Sequence, residues 1–147
     1  MSRGGTNAET LRSYLNLRFG YYEEKYVITP DPTVQLADRF DAIITTAYKQ
    51  TGLKVAILID EYDSPLQHSR KTPEHEARTE VYREVFAILK ADDEYERLVF
   101  ITGITKFTQI SLSSVLNNLT NISFLPEYVA ICGITEEEIK ENFKPEL

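Results

Sequence analysis

Apolar residues recur at every third or fourth position between Asn7 and about Lys25: Leu11, Tyr14, Leu15, Phe19 and Tyr22, with Tyr26 just beyond. That period predicts a helix with one apolar face. Gly20 interrupts it and weakens it by up to about 1 kcal/mol relative to alanine. Thr29-Pro30-Asp31-Pro32 breaks the pattern, because each proline pushes the residue before it out of the helical region. Thr33 is placed to cap a second helix carrying Leu36, Phe40, Ile43, Ile44, Ala47 and Tyr48 on one face. Gly52 is placed to close it. Residues 1–6 are small and polar and are expected to be disordered.

The period then changes. Val55-Ala56-Ile57-Leu58-Ile59 is a continuous apolar run without alternation, which predicts a strand buried on both faces in a parallel sheet. Ser64 to Pro73 reads as a loop. Residues 74–90 read as a third helix with Ala77, Val81, Val85, Ile88 and Leu89 on its stripe. After an acidic turn from Ala91 to Glu96, residues 98–103 read as a second strand. A short helix is possible over Leu112–Leu119, and Tyr128–Cys132 is a candidate third strand. Thr135 followed by three glutamates opens a last helix, with the acidic first turn that the helix dipole favours. Helices alternating with strands predict an α/β fold: two or three mainly parallel strands with flanking helices.

The 147 residues suffice for one domain, and 42% hydrophobic content supports a core. The net charge of −7 argues against a surface built to grip nucleic-acid phosphates. No apolar stretch approaches the roughly 20 residues of a membrane helix. The opening MSRGGTNAET has no apolar signal segment, and the single cysteine, Cys132, permits no internal disulfide. The expectation is a cytoplasmic protein.

Candidate chemistry concentrates at the strand ends. In α/β sheets ligands bind beyond the carboxyl ends of the strands. VAILIDEYD at 55–63 places Asp60 and Glu61 there, in the form of a Walker B segment. Such a pair suits phosphoryl transfer: Asp60 would hold Mg²⁺, and Glu61 would orient or deprotonate a water. The plain alternative is that Asp60 ends a strand and Glu61 faces solvent. Thr102-Gly103 ends the second strand and places a hydroxyl beside those carboxylates, or simply makes a turn. Lys106 could contact an anion or be an ordinary exposed lysine. His68 and His75 read as solvated surface, Tyr21-Tyr22-Tyr26 as helix packing, and Cys132 as a small buried residue.

Taken as an ordered series, VAILIDEYDSPL at 55–66, FITGITKFTQISLSSVLNNLTNIS at 100–123 and PEYVAICGITEEEI at 126–139 resemble the AAA-ATPase-like domain family. Many members are bacterial and carry a PD-(D/E)XK nuclease-like region after the P-loop domain. The resemblance implies a partial P-loop NTPase (AAA-like) sheet over residues 7–147. It further implies Asp60 and Glu61 as the Walker B pair, Asp60 as the metal residue, Glu61 as the catalytic one, and Thr102, with Thr105 as a substitute, at the sensor-like nucleotide position. Asp63 matches the family's DEYD pattern without an assigned role.

The family's phosphate-binding loop lies upstream of the matching region, and G-x-x-x-x-G-K-[ST] does not occur in this chain. Mg²⁺ and ATP are therefore expected cofactors of a complete domain, with no tight binding to this chain alone. The chain reads as a fragment whose exposed sheet edges favour self-association. Two other readings use the same residues. One is a non-catalytic α/β interaction module. The other is a metal-dependent nuclease or phosphohydrolase using the DEYD carboxylates.

Overall fold

A computed structural model describes residues 8–31, 33–67, 73–104, 115–128, 130–131 and 133–143. Helix α1 (Ala8–Lys25) and helix α2 (Leu36–Thr51) form a pair, followed by strand β1 (Val55–Ile59). A four-residue helix α3 (Ser64–Gln67) and a long helix α4 (Pro73–Phe86) come next, then a short α5 (Ile88–Ala91). A 3-10 turn (Asp93–Tyr95) leads into strand β2 (Glu96–Ile101), and helix α6 (Glu136–Asn142) is the last element described. The two strands are parallel, and helices flank them in an α/β arrangement.

The helix ends follow from local chemistry. The Gly52 backbone sits at φ 67, and its N–H donates to the Tyr48 carbonyl, closing α2 as its sequence predicts. The start of α2 differs: Gln35 is its cap residue, with no side-chain bond. Thr33 turns back instead, both its N–H (2.8 Å) and its hydroxyl (2.6 Å) donating to the Asp31 carboxylate. Asp31 offered a nearer partner than the helix end. Pro73 opens α4, where a missing N–H costs no hydrogen bond. At α6 the Thr135 hydroxyl accepts from the Glu138 N–H while the Glu138 carboxylate accepts from the Thr135 N–H, a complete capping box.

The core lies on one side of the sheet. Ile57 meets Leu11 and Phe19 of α1, Ile43 and Ile44 of α2, and Val81, Tyr82, Val85 and Phe86 of α4 in a single buried cluster. On α4 the buried stripe is shifted from the expected one, and it includes Arg78 and Thr79 rather than Ala77. Between α1 and α2 a buried ion pair joins Glu23 to Arg39 through two bonds of 2.6 and 2.7 Å. Phe19 and Phe40 stack face to face beside it, 5.3 Å between ring centres. Tyr21 and Tyr22 pack edge-on against each other at the surface, so only Tyr26 of that cluster joins the core.

Strand register decides which residues face the helices. Val55 pairs with Glu96, but Ala56 pairs with Leu98, so β2 carries one extra residue at Arg97. Beyond that bulge Ile57 and Ile59 share the helix side with Val99 and Ile101. Ala56 and Leu58 share the other side with Leu98 and Phe100. Leu58 is 71% exposed and Leu98 51%, against 8% for Ile57. The expected burial of β1 on both faces is thus met on one face only, because the described helices pack on one side. The candidate third strand is not seen among the described residues: Pro126–Tyr128 is a 3-10 turn and 130–131 a further turn, with Val129 and Cys132 outside them. Of the possible helix over 112–119, residues 115–119 form turns, and the rest lies outside the described residues.

Candidate functional site

The carboxyl ends of β1 and β2 lie side by side and are tied together by five hydrogen bonds. The Thr102 N–H donates to the Ile59 carbonyl at 2.9 Å, extending the ladder one step. The Tyr62 N–H donates to the Thr102 carbonyl at 3.0 Å. The Thr102 hydroxyl donates to Asp60 Oδ1 in a short hydrogen bond and accepts the Glu61 N–H at 3.2 Å. Finally, the buried Asp63 carboxylate accepts the Ile104 N–H at 3.2 Å.

Glu61 has φ 50, a left-handed conformation that a glutamate adopts at a cost of roughly 1–3 kcal/mol. This one residue turns the chain. In a continuing strand, Asp60 and Glu61 would point to opposite faces. The turn lets both carboxylates lie exposed at the sheet's end while Tyr62 and Asp63 fold inward, 3% and 1% exposed. Gly103 completes the fit. A Cβ there would collide with the Tyr62 ring and stand 2.6 Å from Asp63 Oδ1, so no other residue fits without a shift.

Behind this turn α4 contributes Arg78, 4% exposed, whose guanidinium donates to the Pro65 carbonyl in a short bond. Tyr82, one turn further, has its phenol pKa pushed up, chiefly by burial. Tyr14, Asp63 and Tyr62 add to that rise, and Arg78 opposes it. The signal for Arg78 in the sequence is a cation standing four residues before Tyr82 on the buried face of α4.

Among the sequence candidates, Asp60, Glu61 and Thr102 come together. Thr105, Lys106, His68 and Cys132 lie outside the described residues. His75 sits in the first turn of α4. Among the described residues no group of three or more His, Cys, Asp or Glu is arranged to hold a metal ion. The DEYD carboxylates diverge, Asp60 and Glu61 outward and Asp63 inward, so they do not form a three-carboxylate metal centre. None of the described helices is long and apolar enough to cross a membrane.

A second carboxylate cluster, unremarked in the sequence beyond its acidic turn, sits at the opposite end of the sheet. The Arg97 bulge leaves Glu96 paired with Val55, and Glu96 is buried, as is Asp92 nearby. Asp92 Oδ2 and Glu96 Oε1 have no hydrogen-bond partner among the described residues. Burial, together with Asp41 and Glu94, pushes Asp92 up to about 6. Burial, together with Asp92 and Asp93, pushes Glu96 up to about 7.

Residues 2–113 match the AAA-ATPase-like family, described as a predicted AAA-ATPase. Asp60, Glu61 and Thr102 fall inside that span, and the PEYVAICGITEEEI segment falls outside it. Over 111 residues the chain is 38% identical to a protein of Azotobacter chroococcum mcd 1, described as an uncharacterized protein in the vnfD 5′ region. The aligned part is 74% of this chain but 21% of that protein, so the chain spans about a fifth of the relative's length. No solved structure matches the chain.

Proposed function

The chain belongs to the AAA-ATPase-like family of predicted AAA-ATPases, and on that premise we propose that Asp60, Glu61 and Thr102 form the metal- and water-handling half of a nucleoside-triphosphatase site. The observation that carries this reading is the Thr102 hydroxyl, which is bonded to the Asp60 carboxylate and the Glu61 N–H at the carboxyl ends of adjacent parallel strands.

The donor set suits Mg²⁺, a hard cation that takes one or two carboxylates and keeps water for its other positions. Asp60 would hold it. When bound, the ion would neutralise charge on the phosphate oxygens. Thr102 spends its proton on Asp60 and so fixes that carboxylate's orientation. Glu61 projects from a turn rather than a strand. Its exposed carboxylate is free to accept a proton from water, which is what a general base requires. The sequence has no phosphate-binding loop, so this half-site supplies no cradle for a triphosphate, and tight nucleotide binding belongs to a complete domain.

Two measurements test the reading. Mn²⁺ added to the 147-residue chain should broaden the NMR signals of Asp60 and Glu61 first, and Asp60→Asn should remove the effect. In a complete ATPase domain, Glu61→Gln should leave Mg²⁺-dependent nucleotide binding in place and cut turnover about 100-fold or more. Broadening that ignores Asp60, or full turnover in Glu61→Gln, would overturn the assignment.

A further inference from the structure

Asp63 is the one carboxylate of the Asp60–Asp63 turn that faces inward, and neither metal nor water chemistry has a use for it there. We propose that Asp63 is a positioning residue: its buried carboxylate clamps the Gly103–Ile104 loop onto the turn after β1 and so holds Glu61 in its left-handed conformation. The proposal rests on the reading of Asp60 and Glu61 as the site.

Three observations converge on this role. First, Glu61 stands at φ 50 in a chain where glycine would be the ordinary choice, so the surrounding structure must hold it there. Second, the restraints come from both sides. Before Glu61, Asp60 is held by the Thr102 hydroxyl. After it, Tyr62 is held by the Thr102 carbonyl, and Asp63 receives the Ile104 N–H. Third, the fit leaves no slack: Asp63 is 1% exposed, and Gly103 offers the space that the Tyr62 ring and the Asp63 carboxylate fill. A charged acceptor makes the stronger bond to an N–H. Its burial makes the alternative, a water-mediated contact, costly.

The consequence is a mechanical link. The loop after β2 cannot leave β1 without releasing Asp63, and releasing Asp63 frees Glu61 to relax to negative φ. The sensor-like strand end and the catalytic turn then move as one unit.

The test uses NMR on the 147-residue chain without nucleotide or metal. In the parent protein Glu61 should give the strong intraresidue Hα–HN NOE of a positive φ, and the Ile104 amide should be protected from exchange. Asp63→Ala should abolish the first and speed Ile104 exchange at least tenfold, while amides inside β1 and β2 keep their rates. Asp63→Asn keeps an acceptor oxygen and should restore much of the protection. Gly103→Ala should reproduce the Asp63→Ala pattern by pushing the carboxylate aside, and it decides the matter where Asp63→Ala does not fold. An unchanged Glu61 signature in either foldable variant overturns the proposal. So does a loss of protection spread evenly through β1 and β2 in Asp63→Asn. Because no ligand is present, failure of the Mn²⁺ experiment would remove the metal reading and leave the clamp standing, and the converse holds as well.

Discussion

Thr102 reaches across from the end of β2 to give its hydroxyl proton to Asp60 at the end of β1, and the same oxygen accepts the Glu61 N–H. One side chain therefore orients two successive residues of the turn that follows the neighbouring strand. Thr102→Val, nearly the same shape, should cost about 1–2 kcal/mol in urea unfolding, since both bonds go at once. Thr102→Ser should recover most of that. A loss in Thr102→Ser with none in Thr102→Val would instead assign the effect to the methyl group's packing.

The Glu23–Arg39 pair is the main polar tie between α1 and α2, with Glu23 2% exposed and Arg39 10%. Breaking the pair removes two charge-assisted bonds from an Arg39 that still donates to Asn16, which costs about 1.5–3 kcal/mol. Glu23→Gln should therefore destabilise the chain by about that much, and Glu23→Gln with Arg39→Met together by less than Glu23→Gln alone. Denaturant midpoints of the two variants and the parent measure both values.

Asp92 and Glu96 should make the protein less stable as pH rises. Their folded values, about 6 and about 7, stand above the ordinary carboxylate range near 4. Between those limits the folded state binds more protons than the unfolded chain, so stability falls with pH. The loss should run from about pH 4 to about pH 7 and then level off. Asp92→Asn with Glu96→Gln should flatten that slope and raise the melting temperature at pH 8. A melting temperature unchanged at pH 8 would show the cluster to be relaxed in solution.

Adjacent residues of β1 should respond in opposite ways to truncation. Ile57→Ala removes a buried side chain and should cost about 2–5 kcal/mol. Leu58→Ala, on the uncovered face, should stay within about 0.5 kcal/mol in dilute solution. A large loss at Leu58 would mean that this face is covered in solution.

At the end of α1 the exposed Val27 has φ 56, while the Ile28 N–H donates to the Glu23 carbonyl at 2.8 Å. That is the helix-closing geometry in which glycine is favoured. A β-branched residue is strained there, so Val27→Gly should stabilise by about 1 kcal/mol. A fall in melting temperature would instead show that the helix end has another geometry in solution.

Much of this molecule is readable along the chain because it rests on near neighbours. The period of Ile43, Ile44 and Ala47, the Gly52 stop, the Thr135–Glu138 box and the apolar run at 55–59 each depend on residues a few positions apart. The Asp60–Glu61 pair was legible for the same reason: two carboxylates that end a strand announce themselves in nine residues. Three expectations gave way, the first to a nearer partner and the other two to longer-range packing. Thr33 bonded to Asp31 rather than to α2, the α4 stripe rotated to admit Arg78, and β1 was covered on one face instead of two.

What the sequence by itself determined is the two opening helices, the two strands, the capped last helix, the acidic pair at the end of β1 and the family these belong to. The tertiary structure alone decided how those carboxylates are held. Asp60 meets Thr102 and Asp63 meets Ile104 across 42 and 41 positions of chain. Glu61 takes a positive φ that no glutamate shows by preference, and the Arg97 bulge leaves Glu96 buried beside Asp92. The physical reason is common to all of these. Periodicity and capping are local energies, whereas register, burial and the direction of a carboxylate depend on which distant backbone comes to lie beside it.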